Sequence, residues 1–182
     1  MLKHVFRYVA GTLDYKLSFK KSSKGLKLYG HSDADWGSSP DRKSTSGYFF
    51  SLCESGPAIA WKTRRQPTVA LSSCESEYIA LCAAAQEAVY LSSLFNGLGV
   101  SHEFAEPVVM HVDNQGTIAL AKNPVHHNRS KHIDIKFHYI RECVRNKKIQ
   151  LLYIPSESNI ADIMTKASSK VRLLKFNTIL FG

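Results

Sequence analysis

Apolar and polar positions alternate over residues 26–33. Leu26, Leu28 and Gly30 interleave with Lys27, Tyr29 and His31, a period of two that predicts a strand. The turn-rich run Gly37-Ser38-Ser39-Pro40-Asp41 follows. Two more strand-like runs, Gly47–Leu52 and Ala58–Trp61, flank the turn cluster Glu54-Ser55-Gly56-Pro57 and read as a hairpin. Thr68–Leu71 is expected to continue the last strand beyond Pro67. The period then changes. Leu81, Ala84, Ala88, Leu91 and Phe95 recur at steps of 3, 4, 3 and 4, the apolar stripe of a long helix. Ser72 and Glu75 fit a capping box at its start, and Gly97 and Gly99 end it. Val108, Val109 and Val112 predict a buried strand, and Ile118–Ala121 a short helix stopped near Pro124. Ile133, Phe137, Ile140 and Val144 share one face of a helix over His132–Val144. Ile149–Ile154 reads as a strand and Asn159–Ser168 as a last helix.

The predicted order is β-β-β-α-β-α-α-β-α. Three antiparallel strands followed by alternating helices and strands imply an α/β fold with a mixed sheet and helices on its faces. The first twenty residues differ. Val5, Val9 and Leu13 keep helical spacing among basic residues, Gly11-Thr12 breaks it, and Leu17–Phe19 looks extended. Lys20-Lys21-Ser22-Ser23-Lys24-Gly25 reads as a linker.

Composition narrows the class. The 182 residues are 44% hydrophobic and 21% charged, enough for one domain with its own core. Lys plus Arg number 24 against 15 acids, a net charge of +9 that suits a polyanionic partner such as nucleic acid. Cys53, Cys74, Cys82 and Cys143 show no C-x-x-C pair and no zinc-ligand spacing, and are expected to be reduced thiols of an intracellular protein. No run of the ~18–20 apolar residues that a membrane span needs is expected, so no membrane partner is.

Four acids stand where α/β folds put reactive groups, at strand ends and helix starts. Asp33 ends the first strand. Glu77 lies in the opening turns of the long helix. Asp113 closes the Val-rich strand, and Asp162 opens the final helix. Singly, each has an ordinary explanation as a cap or a dipole partner. Their order along this element string is the sharper observation. Two unit charges ~4 Å apart repel by about 4 kcal/mol at an effective dielectric of 20. Carboxylates gathered in one pocket therefore call for a divalent cation, and oxygen-only ligands suit Mg²⁺ or Mn²⁺. A pair of such ions ~3.5–4 Å apart hydrolyses phosphodiesters.

The sequence resembles the ribonuclease H domain of copia-type LTR retrotransposon Pol polyproteins over residues 24–168. The resemblance rests on His31-Ser32-Asp33-Ala34-Asp35-Trp36, Arg42-Lys43-Ser44-Thr45-Ser46-Gly47-Tyr48, Ala58-Ile59-Ala60-Trp61-Lys62, Ala70-Leu71-Ser72-Ser73 through Glu77-Tyr78, Val112-Asp113-Asn114-Gln115, Lys131-His132-Ile133-Asp134, and Ala161-Asp162-Ile163-Met164-Thr165-Lys166. It implies a ribonuclease H-like fold, a five-stranded mixed sheet with helices on both faces. It also implies an endoribonuclease that cuts the RNA strand of RNA–DNA hybrids with two Mg²⁺ ions, Mn²⁺ as a substitute. Asp33, Glu77, Asp113 and Asp162 would be the catalytic metal ligands. Asp35 competes with Asp33, and Ala34 favours Asp33. Glu75 competes with Glu77, but better serves the cap. The chain divides accordingly into 1–23, resembling the end of the connection behind a reverse transcriptase, 24–168, the ribonuclease H domain, and 169–182, a tail. The reverse transcriptase of the same polyprotein is the implied partner, and the chain is expected to be a piece of that polyprotein. One feature departs from many ribonucleases H: where they carry a loop His, this chain reads Ile154-Pro155-Ser156-Glu157.

Selectivity for RNA requires groups that read 2′-hydroxyls. Asn114 and Gln115 are the candidates, with Ser73 weaker; each is also an ordinary helix-start residue. Lys62, Arg64 and Arg65 after the third strand, and Arg129 and Lys131 with His126, His127, His132 and Lys136, could hold phosphates. Those histidines lack the partners of a metal set. Trp36 and Trp61 are expected to pack. Two rivals stand beside the enzyme: a catalytically silent relic that only binds nucleic acid, and a nuclease of related fold such as an integrase-like or exonuclease domain.

Overall fold

The computed structural model describes residues 2–20, 26–54, 56–100, 107–123 and 131–181, with 131–134 described by backbone alone. Strands β1 (Tyr29–Asp35), β2 (Thr45–Ser51) and β3 (Ala58–Arg65) form an antiparallel meander. β4 (Val108–Val112) joins β1 in parallel and β5 (Ile149–Tyr153) joins β4 in parallel, giving the order β3-β2-β1-β4-β5. The sheet is therefore five-stranded and mixed, the class that the change from period two to helical spacing predicts. Helix α1 (Leu2–Ala10) precedes it. Helices α2 (Ser73–Gly97), α3 (Gln115–Lys122) and α4 (Lys131–Arg145) connect the parallel strands, and α5 (Lys170–Phe181) ends the described chain.

The main core lies between the sheet and α2. Tyr78, Leu81, Ala84, Ala85, Ala88 and Leu91 form its buried face, including four of the five stripe positions. The alanines let the helix axis approach the strands. Gly30 does the same from below, since a Cβ there would stand 2.4 Å from Met110 Sδ and 2.6 Å from Phe50. Phe137, Ile140 and Cys143 of α4 stack on α2, with the Tyr78 and Phe137 rings 4.0 Å apart. Each buried Leu, Ile or Phe contributes about 1.5–3 kcal/mol to this layer. Ser72 Oγ accepts from Glu75 N–H at 3.1 Å, so the cap forms, but the Glu75 carboxylate accepts from Leu71 N–H instead of closing the box on Ser72 N–H. By length and composition α2 could cross a membrane. That exceeds the expectation of no such run, but its first turns bury Glu75, Ser76 and Glu77 against the sheet.

The opposite face of the sheet departs from the sequence reading. Asn159–Ser168 is not one helix: it holds a single 3-10 turn, Ile160–Met164, and a second such turn, Ser156–Ser158, precedes it. The segment read as a tail forms α5, whose Phe176 and Leu180 are buried with Phe49, Ala58 and Ile160. Residues 12–20 run to the end of α5, where Ser18 N–H donates to Phe181 O at 2.7 Å and Asn177 donates to the Tyr15 hydroxyl. β3 runs on to Arg65, so Lys62, Arg64 and Arg65 lie on the strand rather than after it. Thr68–Leu71 does not extend it. The four cysteines are free thiols.

Candidate metal centre

Adjacent parallel strands place two acids side by side. Ser32 of β1 stands opposite Val112 of β4, so Asp33 and Asp113 leave the same end of the sheet as neighbours. α2 starts over that end because its cap is held at Ser72. Its second turn brings Glu77 down onto β1, where Ala34 N–H donates to Glu77 Oε1 at 3.1 Å. Carboxylate oxygens of Asp33, Glu77 and Asp113 lie within 4.8 Å of one another. Asp35 is half-buried and outside this group, and Glu75 is occupied by the cap.

Burial sharpens the repulsion. Asp33 is 1% and Glu77 6% exposed. Burial pushes Asp33 up to about 6, with Asp113 and Asp162 adding to the rise and Thr165 and Lys166 opposing it. Burial and the charges of Asp33 and Asp113 push Glu77 up to about 9. Behind Asp33, His31 packs against His111 with ring centres 4.6 Å apart. Burial drives His31 down to about 3, so it brings no positive charge. Asp33 Oδ1 and Glu77 Oε2 are buried with no hydrogen-bond partner among the described residues. A hard divalent cation fits this pocket: the donors are all carboxylate oxygens, two of them lack any other partner, and their charges oppose one another.

Asp162 borders the same pocket in a different setting. The side chain of Asn159, fully buried, donates to Ser32 O at 2.9 Å and accepts from Ala161 N–H at 3.2 Å, which pins the 160–164 turn against β1. Gly47, the antiparallel partner of Asp33, gives that turn room. A Cβ on Gly47 would meet Met164 Cβ at 2.7 Å and Thr165 Cγ2 at 2.8 Å. Thr165 Oγ1 donates to Asp33 Oδ2. Lys166 Nζ stands 2.7 Å from Asp162 Oδ1 and 3.7 Å from Asp33 Oδ2, and Arg172 Nη1 stands 2.9 Å from Asp162 Oδ2. Asp162 is thus saturated by two cations, whereas the other three carboxylates face one another.

The residues expected to touch nucleic acid are scattered by comparison. Asn114 caps α3, its Oδ1 accepting from Thr117 N–H at 2.9 Å, and exposed Gln115 begins that helix. Thr117 Oγ1 donates to Cys74 O, which ties the starts of α2 and α3 together beside the acids. Ser73 is exposed at the first position of α2. Lys62 and Arg64 line a groove of about 710 Å³ between β2, β3, α2 and α4, together with Gln66, Tyr90 and Tyr139. Gln66 donates to Ser46 Oγ and Ser76 O and so holds the groove floor one residue from Glu77. Arg65 also reaches this groove, and its guanidinium pairs with Asp41. Arg129, His126 and His127 lie outside the described residues, as do the side chains of Lys131 and His132. Trp36 donates to Ala70 O but, like Trp61 on the edge strand, is exposed rather than packed. Glu157, in place of a loop His, is exposed in its 3-10 turn. Sequence reasoning passed over Thr165, Lys166 and Arg172. Only the four-residue step from Asp162 to Lys166 could have pointed to one of them.

No protein-family model matches the chain. It is 36% identical over 177 residues to the retrovirus-related Pol polyprotein from transposon RE2 of Arabidopsis thaliana, covering 97% of this chain. It is 39% identical over 166 residues, 91% of this chain, to the Pol polyprotein from transposon TNT 1-94 of Nicotiana tabacum. Among solved structures, it resembles the N-terminal ribonuclease H domain of a Mycobacterium tuberculosis protein (TM-score 0.58, 14% identity). That match covers 82% of this chain and 98% of that one. It also resembles LC11 ribonuclease H1, solved in complex with RNA/DNA hybrid (TM-score 0.54, 17% identity), over 76% of this chain and 93% of that one. The chain spans 12% of the length of each of the two polyproteins.

Proposed function

The chain is a homologue of copia-type transposon Pol polyproteins with a ribonuclease H fold, and from that premise we propose that it hydrolyses the RNA strand of RNA–DNA hybrids during reverse transcription. The observation that carries this reading is the buried Asp33–Glu77–Asp113 pocket with its two unpartnered carboxylate oxygens. Asp33, Glu77 and Asp113 would hold Mg²⁺, or Mn²⁺ in its place, and Asp162 would complete a two-ion site. Bound divalent ions supply Lewis acidity for water attack on a phosphodiester and neutralise the charge that develops on it. The chain's own groups prepare the pocket. Ala34 N–H and Thr165 Oγ1 each occupy one oxygen of Glu77 and Asp33, which leaves the other oxygen turned to the shared space. The tied starts of α2 and α3 direct the positive ends of two helix dipoles to the same end of the sheet, a setting that favours anionic substrate. Lys62 and Arg64 in the groove, Arg65 at its rim, and Arg129 and Lys131 would hold phosphates. Gln115, Asn114 and Ser73 would contact the sugar edge. The reverse transcriptase of the same polyprotein would be the partner.

The test is a Mg²⁺-dependent cleavage assay on labelled RNA–DNA hybrid, duplex DNA and duplex RNA. The expected result is cutting of the RNA strand of the hybrid alone, leaving 3′-hydroxyl and 5′-phosphate ends. Asp113→Asn should bind hybrid as wild type does and cut it at least ~10³-fold more slowly. Binding without cutting by the wild type would establish the silent relic instead. Equal cutting of duplex DNA would establish a nuclease of another substrate class.

A further inference from the structure

The two cations on Asp162 differ in how they are held. Arg172 is fixed: Nη1 meets Asp162 Oδ2, Nη2 donates to Ser156 O at 2.5 Å, and the guanidinium lies over the Phe176 ring. Lys166 is held by its backbone and, at its ammonium, by the carboxylates of Asp162 and Asp33. Its N–H donates to Asp162 O at 3.0 Å, and this turn folds the side chain back over the pocket. Its side chain is 42% exposed, against 1% for Asp33 and 5% for Asp162, so the ammonium enters from solvent. A four-carbon stem gives it many rotamers by which to leave again.

The ammonium sits between Asp33 and Asp162, where it would compete with any ion that Asp162 would hold. We propose that Lys166 is a built-in counter-cation of the metal-free site, and that an ion can reach Asp162 only by displacing it. This rests on the metal-binding reading of the site given above. It follows that the two ion positions are unequal. The Asp33–Glu77–Asp113 side meets Lys166 only at Asp33, at 3.7 Å against 2.7 Å for Asp162, and loads first. The Asp162 side loads against Lys166, and Lys166 sets the weaker affinity. Lys166 is a positioning residue in this scheme, acting on the site through Asp162 and Asp33.

Mn²⁺ binding to the full chain, followed by calorimetry and by electron paramagnetic resonance of free Mn²⁺, tests this without any substrate. Wild type should bind two ions with separate dissociation constants. Lys166→Met should tighten the weaker by about tenfold or more and leave the tighter within about threefold, because only a neighbouring charge is removed. Lys166→Arg should keep both wild-type values. Equal constants in wild type and Lys166→Met would overturn the proposal while leaving the metal site intact. Failure of the wild type to bind Mn²⁺ would overturn the metal reading itself. Should Lys166→Met fail to fold, the ammonium ¹⁵N resonance of Lys166 in the wild type decides during a Mg²⁺ titration. It should move with the second equivalent and not the first, and a resonance unchanged at saturation would overturn the proposal.

Discussion

Two regions of one pocket solve the same electrostatic problem in opposite ways. On the side built by β1, β4 and α2, three carboxylates face one another, and burial holds Asp33 and Glu77 above their ordinary range. On the side built by the 160–164 turn, Asp162 is as deeply buried, yet Lys166 and Arg172 take both of its oxygens. Regular elements hold the first group rigidly enough to keep like charges together. The second group hangs on a short turn and carries its own neutralising cations. Burial alone therefore does not set how readily an acid takes a metal; the strength of its resident counter-charge does.

Opposite responses to neutralising one acid on each side would sharpen this contrast most. In metal-free protein at pH 8, Glu77→Gln should raise stability by about 1–3 kcal/mol by removing an uncompensated buried group. Asp162→Asn should lower it by about 1–2 kcal/mol, since Arg172 loses its ion-pair partner and Lys166 keeps only Asp33, while both remain partly open to water. The pH dependence has a defined sign. Asp33 and Glu77 rise from 3.8 and 4.5 to about 6 and about 9 on folding. Between these values the folded chain keeps protons that the unfolded chain has released, so stability falls as pH climbs from about 4 to about 9. Melting temperatures in chelator should follow that descent, and Glu77→Gln should flatten its upper half. A flat wild-type curve would break the comparison.

A second, smaller effect addresses the turn. Gly47→Ala should cost about 1–3 kcal/mol, because the added Cβ drives the 160–165 segment off β2. It should weaken metal binding on the Asp162 side more than on the other, which two-site calorimetry separates. The smallest effect belongs to the start of α2. Ser72→Ala removes the cap at Glu75 N–H and should cost about 1 kcal/mol in denaturant unfolding. Because Glu77 is also held by Ala34 N–H, its carboxylate should keep its place.

Much of the fold was legible in the chain because it is written in periods. The stripe Leu81, Ala84, Ala88, Leu91 became the buried face of α2, and the Val-rich run became β4, an interior strand between β1 and β5. The errors cluster where tertiary contacts override local pattern. Charged Lys62, Arg64 and Arg65 read as loop, but their backbone pairs with Tyr48, Ser46 and Thr45 on β2, and an edge strand tolerates exposed charge. Asn159–Ser168 read as helix, but Asn159 is consumed by Ser32 O and the following turn is packed under Gly47. Helix α5 was missed although Leu173, Phe176 and Leu180 recur at steps of 3 and 4; its buried face is defined by contact with Phe49, Ala58 and Ile160, which lie far away in the chain.

The linear order of residues determined that Asp33, Glu77 and Asp113 stand at strand and helix ends, and the resemblance drew on that same order. Strand ends and helix starts are local properties, set by side-chain periodicity and caps. Only the tertiary structure decided that those three carboxylates meet with Lys166 at 3.7 Å from Asp33 as their one close cation among the described residues, while Asp162 is sealed by Lys166 and Arg172. Charge pairing depends on distances of a few ångströms between segments far apart in the chain, and no period along the backbone encodes them.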